Sequence, residues 1–218
     1  MPSLLTAKLP GTGGVIKETP DDFFVEELPL YLPCGEGEHL YLTVEKKGLT
    51  TFEMLQRLAA ALGVRERDLG YAGLKDARAT TRQTVSVAGI SVERGLALKM
   101  DGMTVLSAKR HLNKLRLGHL AGNRFVIRLR HVVPDAFARA ESVLAVLERN
   151  GVPNRFGRQR YGALGNSDRI GKALLRHDDR AVVAAVVGDP VEIRNERWRQ
   201  AASQFAAGNL RRAFELMP

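Results

Sequence analysis

The chain has 218 residues, 44% of them hydrophobic, enough to build one large soluble domain or one and a half ordinary ones. Lys and Arg number 33 against 24 acids, a net charge of +9 that favours a polyanionic partner, nucleic acid ahead of anionic lipid. The composition speaks against a membrane protein, a disulfide scaffold and a zinc or iron protein. No apolar run reaches spanning length, the N-terminus has no basic start followed by an apolar stretch, Cys34 is the only cysteine, and the five histidines stand at no metal-ligand spacing. The expectation is a cytoplasmic protein in which Cys34 is inert.

Taken in order, residues 10–14 form a flexible Gly-rich lead-in without the spacing of a phosphate-binding loop. Pro20, Asp21 and Asp22 signal a turn, after which residues 23–27 continue as a strand; on composition alone Phe23 reads as a core aromatic. A turn at residues 35–38 leads to a strand with Leu40, Leu42 and Val44 inward, broken at Gly48. Thr50 and Glu53 have capping-box spacing. They open a helix with Phe52, Leu55, Ala59 and Leu62 on its apolar face, stopped by Gly63 and serving only to pack.

Residues 70–87 are the first place where chemistry gathers. Gly70 and Gly73 suit a tight loop leading from the helix to a strand at Val85 and Val87. Within it Lys75 and Asp76 adjoin, with Arg78 and Arg82 close by. A carboxylate among cations stays ionised at neutral pH, as a carboxylate nucleophile must. The blander reading is a polar turn in which Asp76 caps a helix or pairs with Lys75.

A further strand is expected over residues 103–108. From residue 102 to residue 134 there is no acid, while Lys109, Arg110, Lys114, Arg116, Arg124, Arg128 and Arg130 all fall in that window, which reads as a phosphate-contacting surface. Phe125 starts a strand with Ile127 and Leu129 on its face. Pro134 and Asp135 open a second helix, with Phe137, Ala140, Val143 or Leu144, and Leu147 on one side and Asn150-Gly151 as its stop. A glycine-rich basic loop follows over residues 151–162. Beyond Gly165, helical segments are expected over residues 181–187, 198–207 and 210–216.

Four of these stretches together resemble the TruD family of tRNA pseudouridine synthases. They are Lys17 with Pro20-Asp21-Asp22-Phe23, Val25 and Glu27; Gly73-Leu74-Lys75-Asp76-Ala77 with Ala79, Thr80 and Gln83; the run from Lys114 to Phe125; and Gly151-Val152-Pro153-Asn154-Arg155-Phe156-Gly157-Arg158-Gln159-Arg160-Tyr161-Gly162. The resemblance implies that Asp76 is the catalytic nucleophile, held ionised and oriented by Lys17. It implies that Phe23 contacts the target base, that Phe125 stacks on it and that Asn123 hydrogen-bonds the target nucleotide. Lys109, Arg110, Lys114, Arg116 and Arg160 would contact RNA, Arg160 and Gln159 alternatively bracing the Asp76 loop.

The implied fold is α+β: a mixed, mainly antiparallel pseudouridine-synthase-like sheet with flanking helices. Residues 1–150 would be the N-terminal part of the catalytic domain and residues 151–218 the beginning of an inserted domain. The implied reaction converts a uridine of tRNA, at position 13, to pseudouridine with no cofactor, no metal and no protein partner. Family members are considerably longer, so a truncated form is expected. Two alternatives stay open: a non-catalytic RNA-binding fragment of such a synthase, and a hydrolase or lyase that recruits partners for Asp76 from elsewhere in the fold.

Overall fold

The computed structural model describes residues 4–154, 157–162 and 164–217. The chain divides into two units, Met1–Arg149 and Asn150–Pro218. In chain order the first holds β1 (Gly13–Val15), β2 (Phe23–Pro29), β3 (His39–Lys47), α1 (Thr51–Leu62), β4 (Gly70–Tyr71), β5 (Thr80–Ala88), α2 (Val92–Leu96), β6 (Lys99–Met100), β7 (Met103–His111), β8 (Leu120–Ile127), β9 (Arg130–Val132) and α3 (Ala136–Asn150). The main sheet has the order β6-β7-β3-β5-β2-β8, with β4 also paired to β5, and only the β2–β5 pair is parallel. A separate antiparallel pair joins β1 to β9, so the Gly-rich lead-in contributes a strand that composition does not announce.

The core lies between α1 and the β3–β5 half of the sheet. Leu40, Leu42 and Val44 of β3 and Val85 and Val87 of β5 meet Met54, Leu55, Leu58, Ala59 and Leu62 of α1. Thr50 caps the helix in a reciprocal box with Glu53, and Gly63 ends it in the left-handed conformation at φ 65°. Phe52 departs from expectation: it is exposed, and Thr51 is buried instead. The stripe that faces the sheet runs Thr51, Met54, Leu55, Leu58, Ala59, Leu62, at helical spacing, and places Phe52 about a quarter turn off it.

β5 begins at Thr80, well before the apolar alternation at Val85, because its first inward positions are Thr81 and Gln83 rather than aliphatic residues. β8 is an edge strand whose Phe125, Val126 and Ile127 are exposed, so the buried-wall reading of Phe125 does not hold. Phe137 and Leu144 of α3 are also exposed, and that helix buries no residue fully.

The second unit is helical: α4 (Ser167–Leu175), α5 (Asp179–Val187), α6 (Glu196–Ala206) and α7 (Leu210–Leu216). Val187, Ile193 and Ala202 form its small core with Trp198 and Phe205 against them, and the Trp198 indole N–H donates to the Val187 carbonyl at 2.8 Å. α4 is unannounced in the sequence because it is short, carries Gly171 inside it and has no side-chain cap.

Candidate active site

Register places Phe23, Asn123 and Phe125 on one face of the sheet. β2 and β8 pair Phe23 with Ile127, Val25 with Phe125 and Glu27 with Asn123, while Val25 faces Thr81 on β5. Side chains directly opposite in a ladder share a face, so Phe23, Asn123 and Phe125 lie on the side of the sheet that α1 covers farther along. Phe23, Val25 and Ala79 form a cluster separate from the α1 core. Phe23 is 9% exposed and Phe125 52%, and their rings meet edge to face at 5.9 Å. The result is an aromatic wall with one buried and one open member.

The segment between β4 and β5 carries Asp76 onto this face. The Lys75 N–H donates to Thr51 Oγ1 at 2.9 Å, Thr51 donates to Gln83 Oε1 at 3.1 Å, and Gln83 Nε2 reaches the Gly73 carbonyl at 3.5 Å. From the other side, Lys46 Nζ donates to the carbonyls of Leu49 at 2.6 Å and Asp76 at 3.1 Å. The main chain around Asp76 is thus fixed while its carboxylate stays half exposed. Lys17 Nζ stands 3.1 Å from Asp76 Oδ1 and 3.9 Å above the centre of the Phe23 ring.

Lys17 is held in an uncommon conformation to do this. Its φ is 58°, in the left-handed region, which a lysine occupies at a cost of about 1–2 kcal/mol. Arg78 donates to its carbonyl at 3.5 Å. The turn that follows is anchored by buried Asp22, whose carboxylate accepts two bonds from Arg130 at 2.8 Å each and others from the Thr19 N–H and hydroxyl. The Arg130 guanidinium holds the Asp22 carboxyl well below the usual carboxylate range.

A family model for tRNA pseudouridine synthase D (TruD) matches residues 2–218 of this chain. The chain belongs to the TruD family. Among curated TruD proteins it is 61% identical over 214 residues to tRNA pseudouridine synthase D of Geobacter metallireducens, a match covering 98% of this chain and 53% of the relative. With that of Syntrophotalea carbinolica it shares 57% over 218 residues, 100% of this chain and 55% of the relative. The crystal structure of the Methanosarcina mazei TruD protein is similar with a TM-score of 0.78 at 26% identity, over 99% of this chain and 51% of that one. The chain therefore spans about half the length of the relatives it matches.

The first three of the four TruD stretches converge in space, all within the first unit. Lys17, Phe23, Asp76 and Phe125 come together on the open face, with Asn123 two residues along β8 from Phe125 and exposed. The third motif is tied to the residue just before the second, since the Gly118 N–H donates to the Ala72 carbonyl at 2.8 Å. The acid-free window does not make one uniform surface. Arg124 pairs with Glu26, and Arg128 and Arg130 with Asp22, acids supplied from outside the window. Lys109 lies opposite Tyr41 on the sheet face away from α1, Arg110 opposite Leu40 on the α1 side. Lys114 donates to the Arg67 carbonyl, and Arg116 is exposed on the loop after β7. Those four make no salt bridge among the described residues.

Arg160 is exposed on a short turn in the second unit. Arg155, Phe156 and the side chains of Arg158 and Gln159 lie outside the described residues. Among the described residues no group of His, Cys, Asp and Glu is placed to hold a metal, and no helix is long and apolar enough to cross a membrane. Sequence reasoning gave no role to Thr51, Lys46 and Glu27, although Glu27 closes the first of the four stretches. The signal for the last two was present: each continues the inward phase of an alternating strand, after Leu40-Leu42-Val44 and after Phe23-Val25, where a charge needs a reason.

Proposed function

We propose that this chain isomerises a uridine of tRNA to pseudouridine with Asp76 as the nucleophile. The N1–C1′ bond of the target breaks, the base turns, a C5–C1′ bond forms, C5 loses its proton and N1 gains one. The conversion is redox-neutral and needs no cofactor. Asp76 starts the cleavage, either by attacking the ribose carbon or by helping to expel uracil through a glycal route. A base in a duplex cannot reach it, so the target nucleotide leaves its stack. Phe125 offers a ring to stack on, Phe23 closes the inner wall, and Asn123 is available for a base or ribose edge.

What carries the reading is the carboxylate of Asp76, half exposed beside an aromatic wall and held at 3.1 Å by a lysine that itself sits on Phe23. That combination suits a charged nucleophile facing a flat, neutral ligand better than it suits a polar turn. Lys109, Arg110, Lys114 and Arg116 supply phosphate contacts, and Arg160 supplies one from the second unit.

The test is conversion of uridine in unmodified tRNA transcripts, read nucleotide by nucleotide. One converted position is expected, at position 13, together with tRNA affinity that falls steeply with salt. Salt-sensitive binding without conversion at any position would replace this reading with that of a non-catalytic RNA binder, for which the openness of Phe125 is the favouring observation. Turnover of a small phosphorylated substrate without RNA would support a hydrolase or lyase instead.

A further inference from the structure

One edge of β5 is shared by two partners. β2 pairs with it at Thr80, Thr81 and Arg82, and β4 at Val85 and Ser86. Between them the Thr84 N–H has no strand to meet. Glu27 fills the gap: its Oε1 accepts from the Thr84 N–H at 3.2 Å, and its Oε2 accepts from Lys75 Nζ at 2.8 Å. Both side chains of this ion pair are only 3% exposed.

Two charges taken out of water recover their desolvation penalty only with good geometry and further hydrogen bonds, and apolar residues of similar size often stabilise as well or better. Stability alone is therefore a weak reason for this pair. Its placement supplies another. Lys75 immediately precedes Asp76, its N–H is fixed to Thr51, and its side chain runs inward to β2 while the Asp76 carboxylate faces the open wall. Lys46 grips the Asp76 carbonyl from the β3 side.

We propose that the buried Glu27–Lys75 pair is a positioning device that fixes the Asp76 carboxylate relative to the Phe23–Phe125 wall, with Lys46 as its counterpart on β3. This rests on the reading of Asp76 as the nucleophile. The pair touches no reacting atom; it sets the distance across which Asp76 must reach the ribose, and a displacement of about 1 Å there is worth on the order of 100-fold in rate.

The deciding experiment compares wild type with the double variant Glu27→Leu/Lys75→Met, which leaves no unpaired buried charge. Expected are a cooperative unfolding transition like that of wild type, amide hydrogen exchange over residues 73–79 faster by about tenfold or more with β3 unchanged, and kcat for tRNA lower by about 100-fold with KM within about twofold. Wild-type exchange over residues 73–79 and wild-type kcat in a folded double variant would overturn the proposal and leave the pair a structural one. Glu27→Gln/Lys75→Met, which keeps an acceptor for the Thr84 N–H and leaves no buried charge, gives the same comparison should the first double variant not fold: faster exchange over residues 73–79 supports the proposal and unchanged exchange overturns it. If the wild-type chain converts no uridine, the catalytic reading fails and the exchange measurement alone decides whether the pair clamps the loop.

Discussion

Lys46 shows how a single side chain links the core to the site. It occupies the inward phase of β3 after three aliphatic residues and is 1% exposed. Burial pushes its ammonium down to about 8, while the Asp76 carboxylate pulls the other way. The unfolded chain holds that proton up to about 10.5. Between those values the folded protein has released a proton that the unfolded one keeps, so stability rises with pH across the window, and the penalty of the buried charge is fully present below pH 8. The urea midpoint of wild type is expected to gain relative to that of Lys46→Met between pH 8 and pH 10.5, the other titrating groups cancelling in the comparison. Parallel profiles would show that Lys46 is not held as described.

At the scale of elements, the site depends on how closely the loop after β7 can approach β4 and β5. The Leu115 N–H donates to Ser86 Oγ at 2.9 Å, and a Cβ on Gly70 would stand 2.3 Å from the Leu115 carbonyl oxygen and 2.5 Å from Ser86 Oγ. Gly70→Ala must push these backbones apart and is expected to destabilise the first unit by about 1–3 kcal/mol, seen as a lower urea midpoint. An unchanged midpoint would mean that the junction is slack. Strands β2, β3 and β7 and the capped helix α1 were legible because alternation, capping box and stop glycine agree locally. β5 was legible only in its second half, since its first inward positions, Thr81 and Gln83, are polar, Gln83 bracing the Asp76 loop through Thr51 and the Gly73 carbonyl. The side chains that gather on the open face, Lys17, Phe23, Asp76 and Phe125, were singled out through the motifs. The supports beneath it were not, because Glu27, Lys46 and Thr51 acquire their roles only when three distant segments meet on one sheet face.

For the whole molecule, the positive charge that pointed to a polyanionic partner is distributed less simply than its run in the sequence suggests. Arg124, Arg128 and Arg130 pair with acids from β2 and the turn before it, Arg128 and Arg130 sharing Asp22, while Lys109, Arg110, Lys114 and Arg116 stand on different faces and edges of the first unit. The chain spans about half the length of its TruD relatives, 53% in the Geobacter metallireducens case. The most direct measurement is single-turnover pseudouridine formation in an unmodified tRNA transcript with saturating wild type and saturating Asp76→Asn, alongside the tRNA Kd of each. Asp76→Asn keeps the shape and removes the charged nucleophile. The expected result is conversion by wild type, a loss of about 10³-fold or more in Asp76→Asn, and Kd values within about twofold. Equal conversion by the two proteins would contradict the assignment of Asp76 and, with it, the account of the open sheet face as the place where the uridine reacts.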